Sequence, residues 1–180
     1  TMQTIIVAVG DVDGDGDMDI VIGNFDVENE LLTNDVSGGI TLSTLPGGVF
    51  NTYGVAFGDV DGDGDDELVF GSYDNKLYIV GAYGEEELAY WQPGVIIGAP
   101  ALVDLDEDGD LEIIFTTQNG NYGDVYAIHH NGEEVEGFPA DIDEKMLVGP
   151  AVGDLEGDGI TDIVIVTWED HIYALDSEGN

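Results

Sequence analysis

An acidic loop recurs four times along the chain, and this repeat constrains the fold more than any other feature. The copies read GDVDGDGDMDIVIG from Gly10, GDVDGDGDDELVFG from Gly58, VDLDEDGDLEIIF from Val103 and GDLEGDGITDIVIV from Gly153. Their first acidic residues, Asp11, Asp59, Asp104 and Asp154, are spaced by 48, 45 and 50 residues. A period of this length that carries strands and no helix matches a propeller blade of four short strands.

Each repeat contains a regular series of predicted strands. An apolar segment enters each loop at 5–9, 53–57, 99–103 and 147–152, and a run rich in β-branched residues leaves it at 20–22, 68–70, 113–115 and 163–166. Third strands follow short turns at 77–80 and 172–175, and fourth strands follow glycine turns at 40–45, 87–91 and 134–138. No window has the 3.6-residue apolar spacing of a helix. We therefore predict an all-β fold, a β-propeller of about four antiparallel, four-stranded blades.

The repeats divide a single propeller domain, residues 1–180, into units of about 1–48, 49–94, 95–145 and 146–180. The fourth unit reaches the turn at 176–180 before a fourth strand, so the sequence predicts about three and three-quarter blades. Two interpretations follow: the domain is part of a larger ring, or a second chain completes it in a homodimer. A self-closed ring of four blades is the remaining alternative.

The acidic loops have the spacing of a metal site. Oxygen-bearing side chains recur at loop positions 1, 3, 5 and 9, with glycine at position 6, and position 7 is expected to offer its backbone carbonyl. The candidate ligands are Asp11, Asp13, Asp15, Asp17 and Asp19 in loop one; Asp59, Asp61, Asp63, Asp65 and Glu67 in loop two; Asp104, Asp106, Asp108, Asp110 and Glu112 in loop three; and Asp154, Glu156, Asp158, Ile160 and Asp162 in loop four.

These donors suit Ca²⁺, which takes six to eight oxygen ligands at about 2.3–2.6 Å. We expect about four Ca²⁺ ions, one per repeat; Mg²⁺ is a poorer candidate because it keeps more of its waters. The spacing resembles an EF-hand up to position 9, but position 12 is apolar in all four loops, for example Ile22 and Phe70. The loop is therefore interpreted as a calcium hairpin between two strands.

The charge balance excludes several classes of partner. The chain has 40 Asp and Glu residues against two Lys and no Arg, a formal net charge of −38. Nucleic-acid binding is excluded because it requires a basic surface that neutralises phosphates. Docking onto anionic membranes is disfavoured for the same reason, and no apolar run is long enough for membrane insertion. Hydrophobic residues make up 43% of the chain, which provides material for a folded core.

The hairpin D-x-D-x-D-G-x-x-[DE], followed by a strand such as IVIG, resembles the FG-GAP or VCBS-type repeat of integrin-α-like β-propellers. Phe57-Gly58 is similar to the FG element, Gly98-Ala99-Pro100 to the GAP element, and the segment NELLTND at 29–35 to the part that follows the hairpin. The resemblance covers essentially the whole chain. It implies calcium loops between the first two strands of each blade, in proteins that are mostly extracellular adhesion or glycan-associated modules.

Residues outside the loops give weak signals of chemistry. His129 and His130 lie beside a turn and His171 opens a strand, so all three are interpreted as exposed residues. Trp91, Trp168, Tyr90 and Tyr173 lie in or beside predicted strands, and most such aromatics are expected to pack between blades, although one could stack on a sugar. No serine lies in a G-x-S-x-G motif.

We therefore expect a non-catalytic calcium-binding module that binds a protein or carbohydrate. An extracellular or cell-surface location follows because millimolar calcium there would keep even weak sites filled. The alternative is the propeller domain of a polysaccharide lyase or another glycan-active enzyme, which such propellers resemble. A chain with two Lys and no Arg offers little cationic help for a uronate carboxylate. A structural spacer in a long surface protein is a third possibility.

Overall fold

All regular secondary structure in the described residues is β-strand. The structure, a computed structural model, describes residues 3–49, 51–146 and 148–180. The strands are β1 (Gln3–Gly10), β2 (Asp19–Phe25), β3 (Glu30–Asn34), β4 (Ile40–Thr44), β5 (Val55–Gly58), β6 (Glu67–Gly71), β7 (Lys76–Val80), β8 (Glu86–Trp91), β9 (Val95–Ile96), β10 (Ala101–Val103), β11 (Glu112–Gln118), β12 (Asp124–Ile128), β13 (Ala140–Asp141), β14 (Ala151–Gly153), β15 (Asp162–Val166) and β16 (Ile172–Leu175). That part of the chain contains no long apolar helix of the kind that crosses a bilayer.

The strands form four consecutive antiparallel sheets, one for each repeat. The sheet orders are β1-β2-β3-β4, β5-β6-β7-β8, β10-β11-β12-β13 and β14-β15-β16. The first strand of each sheet contacts the first strand of the next, as in the blades of a propeller. The all-β class and the blade architecture predicted from the repeat are thus confirmed. In the fourth repeat the first strand is shorter than predicted, and residue 147 of that prediction lies outside the described residues.

The third sheet differs from the prediction in its outer strand. We expected a strand at 134–138, but Glu134 forms only an isolated bridge with Ile128, and the outer strand is β13. Gly137 has a φ of 95°, which turns the chain away from the sheet. Pro139 follows and has no N–H for the ladder. An additional strand, β9, pairs with the end of β11 and was not predicted.

The hydrophobic core consists of three clusters, each between two consecutive sheets. Leu31 and Phe70 belong to the cluster between the first two sheets, Ile79 and Phe115 to the next, and Ile114 and Ile163 to the last. The residue at loop position 2 also enters a cluster: Val12, Val60 and Leu105 are buried there. Each blade is therefore held by the apolar faces of its neighbours.

The terminal sheets are each open on one side. Every residue of β6 is buried, and so is every residue of β11 except Gln118, because these sheets have a neighbour on both faces. In β2 and β15 burial alternates, as expected for a sheet covered on one face. Leu155, the position-2 residue of loop four, is 61% exposed. The described residues thus form a partial propeller with open terminal sheets.

Candidate metal centres

The acidic loops join the first two strands of every sheet. Residue pairs Gly10–Asp19, Gly58–Glu67, Val103–Glu112 and Gly153–Asp162 are opposite each other in the strand register and close loops of equal length. Positive φ values at Gly16, Gly64, Gly109 and Gly159, between 92° and 107°, fold each loop at position 6. Only glycine adopts this conformation at no steric cost, which explains its recurrence there.

The carboxylate at position 9 closes each hairpin by accepting a hydrogen bond from the backbone N–H at position 2. The donor–acceptor distances are 2.9 Å for Val12 to Asp19, 2.9 Å for Val60 to Glu67, 2.6 Å for Leu105 to Glu112 and 2.8 Å for Leu155 to Asp162. Asp19 also accepts from the N–H of Asn34 at 2.8 Å, so both of its oxygens are engaged. The longer Glu67 keeps its other carboxylate oxygen available for the site, whereas Oε1 of Glu112 contacts Nδ1 of His129 at 3.1 Å.

The position-1 aspartates have the arrangement that best fits a cation. Oδ2 of Asp11 and Asp59 accepts from the N–H of the position-6 glycine, at 3.0 and 3.1 Å. Oδ1 of Asp11, Asp59 and Asp104 is buried and has no hydrogen-bond partner. Burying a charged oxygen without a partner costs several times the net gain of a hydrogen bond. One cation bound in each loop would give the Oδ1 atom of that loop a partner, so these residues fit metal ions.

The first three loops bring carboxylates together around these oxygens. Donor atoms lie within 4.8 Å of one another in three sets: Asp11, Asp13 and Asp15; Asp59, Asp61 and Glu67; and Asp104, Asp106 and Asp108. All-oxygen, all-carboxylate donors of this kind suit a hard cation such as Ca²⁺. Asp63, at position 5 of loop two, accepts from the N–H of Asp65 at 3.0 Å and helps to fold the loop.

Loop four is arranged differently. The carboxylate of Asp154 accepts from the N–H groups of Gly157, Asp158 and Gly159 at 2.6, 3.1 and 2.8 Å. These hydrogen bonds, that from Gly159 above all, hold the pKa of Asp154 below its usual value. Among the described residues, the side chains of loop four do not converge as those of the other loops do.

In loops two and three, the position-7 carboxylate lies against the preceding loop, a contact that the sequence did not predict. A Cβ added at Gly14 would lie 2.5 Å from Oδ1 of Asp65, and one at Gly62 would lie 2.9 Å from Oδ1 of Asp110. Glycine at position 4 therefore makes room for the carboxylate of the following loop. At the next junction Glu107 replaces this glycine and Ile160 replaces the aspartate, and both line one cleft. The exchange avoids placing two carboxylates against each other.

Two site carboxylates, those of Glu67 and Glu112, are in an environment that disfavours their charge. Burial, with smaller contributions from Asp61 and Glu87, raises the pKa of Glu67 to about 7. Burial likewise raises the pKa of Glu112. A divalent ion would have the opposite effect on both groups, because it is the largest local charge in such a site.

Four side chains differ from their predicted settings: His129 and His130 are partly buried, and Trp91 and Trp168 are exposed. His129 is half-buried, and its Nδ1 lies 3.1 Å from Oε1 of Glu112, a contact that strand pairing creates and sequence spacing does not reveal. Trp91 and Trp168 are 62% and 63% exposed, so the prediction that they pack between blades is wrong. Tyr90 does pack as expected, with its ring edge against Phe115.

Comparison with solved structures supports the same architecture. The structure of BBS1N in complex with ARL6DN, soaked with lead, shares 14% identity at a TM-score of 0.73, and the match covers 98% of this chain and 55% of that chain. The Dos1 propeller shares 14% identity at a TM-score of 0.69, with 97% and 45% covered. The chain thus spans about half the length of the chains it matches. None of the curated proteins compared with it matches significantly.

The repeat itself is recognised at the level of sequence. The family model for the FG-GAP-like repeat matches residues 11–70 and 104–165, which together are more than half of the chain. Both matches begin at a position-1 aspartate of an acidic loop. With the propeller fold established, the resemblance drawn from the hairpin motif is confirmed: the chain belongs to the FG-GAP-like repeat family.

Proposed function

We propose that this propeller is a non-catalytic, calcium-binding module that presents its loops to a protein partner. The observation that carries the proposal is the buried, unpartnered Oδ1 at the same loop position in three repeats. Calcium would supply the missing partner and offset the carboxylate repulsion that otherwise loosens each hairpin. Its role here is structural, since each loop joins the first two strands of a blade and the first strand contacts the neighbouring blade.

The four loops are expected to differ in affinity. Loops one to three would hold one Ca²⁺ each, with Asp11, Asp59 and Asp104 as their central ligands. Loop four would bind more weakly, because backbone N–H groups already satisfy the carboxylate of Asp154. Asp158, Glu156 and Asp162 would have to rearrange around an ion there.

Calorimetric titration of the metal-free chain with Ca²⁺ tests this proposal. We expect Asp59→Asn to lose one equivalent and to reduce the rise in melting temperature that calcium causes, because the amide keeps the shape but lacks the charge. Asp176→Asn is the matched control: this exposed aspartate accepts N–H groups of its own turn and lies outside the loops. Equal stoichiometry in Asp59→Asn and the parent chain would refute the loop as a site.

A protein partner is favoured by the fold and by one relative. BBS1N, a structural relative, was crystallised in complex with ARL6DN, and rigid propeller loops offer a preformed binding surface. The exposed indoles of Trp91 and Trp168 also allow a carbohydrate ligand, which would stack on an aromatic ring. A glycan array probed in calcium and in chelator separates the two, since calcium-dependent hits would identify a lectin-like module. The proposed binding of calcium favours an extracellular or cell-surface location, where millimolar calcium would keep the loops filled.

We further propose that a second copy of the chain covers the open terminal sheets. A Cβ added at Gly58 would lie 2.9 and 3.3 Å from Leu102 and Leu111 of the next blade, whereas one at Gly153, the equivalent residue of blade four, would meet nothing within 4 Å. The blade-one counterparts of Leu102 and Leu111 are Val9 and Met18, and they are 57% and 59% exposed. Val9 and Met18 of one copy would therefore pack into the space beside Gly153 of another copy. The first blade of one chain would then lie against the last blade of the next, a head-to-tail arrangement.

Light scattering in millimolar calcium tests this arrangement. A mass near twice the 19.1 kDa chain is expected, and Leu155→Glu should reduce it to that of a single chain. Val36→Glu, a change of an exposed residue in a turn, is the control and should leave the mass unchanged. A single-chain mass for the parent at all concentrations would exclude the homodimer and leave further blades as the occupants of the open faces.

A further inference from the structure

Among the residues that the structure describes, the third repeat alone brings an imidazole nitrogen together with carboxylate oxygens at its acidic loop. Asp106, Glu112 and His129 each place one ligand atom within 4.8 Å of the others. The Glu112 side chain is fully buried, and His129 Nδ1 lies 3.1 Å from its Oε1. This set combines an imidazole nitrogen with two carboxylates, whereas the calcium loops offer carboxylate oxygens alone.

Strand register explains why only this repeat has the histidine. The pairing of Ile113 with Ile128 continues to place His129 beside Glu112, just as the pairing of Leu68 with Val80 places Gly81 beside Glu67. The corresponding residues in the first and fourth sheets are Thr33 and Asp176. None of these three replacements can supply a nitrogen ligand from its side chain.

The donor set is accessible from solvent. Asp106 and His129 line a cleft of about 700 Å³ between the third and fourth sheets, together with Glu136 and Glu178. The cleft leaves room for water ligands beside the protein donors, as in metal sites that keep an open position. Its two further carboxylates, and the net charge of −38, favour the entry of cations.

We propose that Asp106, Glu112 and His129 bind a divalent transition-metal ion, of the Zn²⁺ or Co²⁺ type, at the mouth of this cleft. Imidazole is a preferred ligand of these ions and a poor one for Ca²⁺, so the histidine sets the selectivity. Nδ1 of His129 would bind as the neutral imidazole, in place of its present contact with Glu112. Because Asp106 and Glu112 are also candidate calcium ligands of loop three, the two ions compete for these carboxylates.

Titration of the metal-free chain with Co²⁺, in the absence of calcium, tests the proposal through visible absorption. The parent should bind one equivalent with the d–d bands of a nitrogen- and oxygen-ligated ion, and His129→Gln should lose that equivalent while keeping its calcium-dependent melting. His171→Gln is the matched control, since His171 also contacts a glutamate, with Nδ1 2.8 Å from Oε1 of Glu144. That exposed pair lacks the third donor and should not contribute.

A measurement on the unaltered protein makes the test independent of any folding defect in the variant. The chain has three histidines, so their ring ¹⁵N signals can be assigned one by one. Zn²⁺ should shift the Nδ1 signal of His129 and leave that of His171 in place. Unchanged His129 signals, or equal Co²⁺ binding by the parent and His129→Gln, would overturn the proposal and leave the His129–Glu112 contact as an ion pair.

Discussion

At the scale of single residues, the acidic side chains of this protein belong to two groups with different energetics. Those in the first three loops converge closely enough for a cation to contact several of them at once. Others face a second carboxylate across a strand pair. Asp124 of β12 lies directly opposite Asp141 of β13, and Asp143 is also near. Burial, and then these two negative charges, raise the pKa of Asp124. The negative charge of Asp124 therefore destabilises the folded state.

Asp124→Asn should stabilise the chain at neutral pH by about 0.5 kcal/mol, the usual scale of a cross-strand pair. Because the folded-state pKa is raised, protonation favours the folded state below the ordinary pKa of aspartate, and this stabilisation is lost as pH rises through the folded value. The gain from the substitution should accordingly vanish near pH 3. Urea unfolding of both proteins at the two pH values, in chelator, measures it.

Asp141→Asn provides the internal check on that mechanism. It removes the other member of the same repulsive pair, so the double variant should gain less than the sum of the single gains. Strict additivity would show that the two carboxylates do not interact.

At the scale of structural elements, the glycines around the loops are placed by the contacts between blades. A Cβ at Gly54 would lie 2.2 Å from the backbone of Ala99, and one at Gly98 would lie 1.9 Å from the backbone of Gly149. The segments entering the first strands thus pass each other backbone to backbone. This explains why the family motif has glycine before the apolar strand: any side chain there would separate neighbouring blades.

Gly54→Ala should destabilise the chain by about 1–3 kcal/mol, the range for overpacking a closely packed site. Gly153→Ala is the matched control within a single chain, because a Cβ there would meet nothing within 4 Å. Chemical denaturation at low protein concentration compares the two. A similar loss of stability in both variants would mean that backbone entropy, and not the contact at Ala99, determines the effect.

The elements also show which parts of the structure a sequence can predict. The strands that flank the acidic loops and the convergence of carboxylates in the first three loops were predictable, because both depend on residues close in sequence, a turn glycine and alternating acidic residues. The outer strand of the third sheet was not, because Gly137 and Pro139 interrupt a segment whose composition favours a strand. The contact of His129 with Glu112 was not predictable either, since it arises from the register of two strands. In loop four, backbone N–H groups compete for Asp154, which spacing alone does not show.

At the scale of the whole molecule, stability comes from the faces between blades. Leu105 and Leu155 occupy the same loop position, yet Leu105 is buried in the last inter-sheet cluster while Leu155 is exposed. Leu105→Ala should cost about 2–5 kcal/mol, as for other buried leucines. Leu155→Ala should cost little in a single chain. If Leu155→Ala lowers the melting temperature as much as Leu105→Ala does, the Leu155 side chain is covered in solution by another chain. Dilution of the sample should then reduce the loss of stability that Leu155→Ala causes.

The charge of the whole molecule leads to a last prediction, which separates screening from binding. A net charge of −38 opposes the compact state, and sodium chloride weakens that repulsion by shortening the screening length from about 30 Å at 0.01 M to about 10 Å at 0.1 M. In chelator the melting temperature should therefore rise with salt. Loop carboxylates whose oxygens lie within 4.8 Å of one another are screened far less, so millimolar calcium should add a further increase that salt does not reproduce.

Magnesium at the same concentration is the control for charge alone, because it keeps its waters and does not fit loops built from several protein oxygens. Equal melting temperatures in the two ions would show that the loops collect counterions without binding calcium.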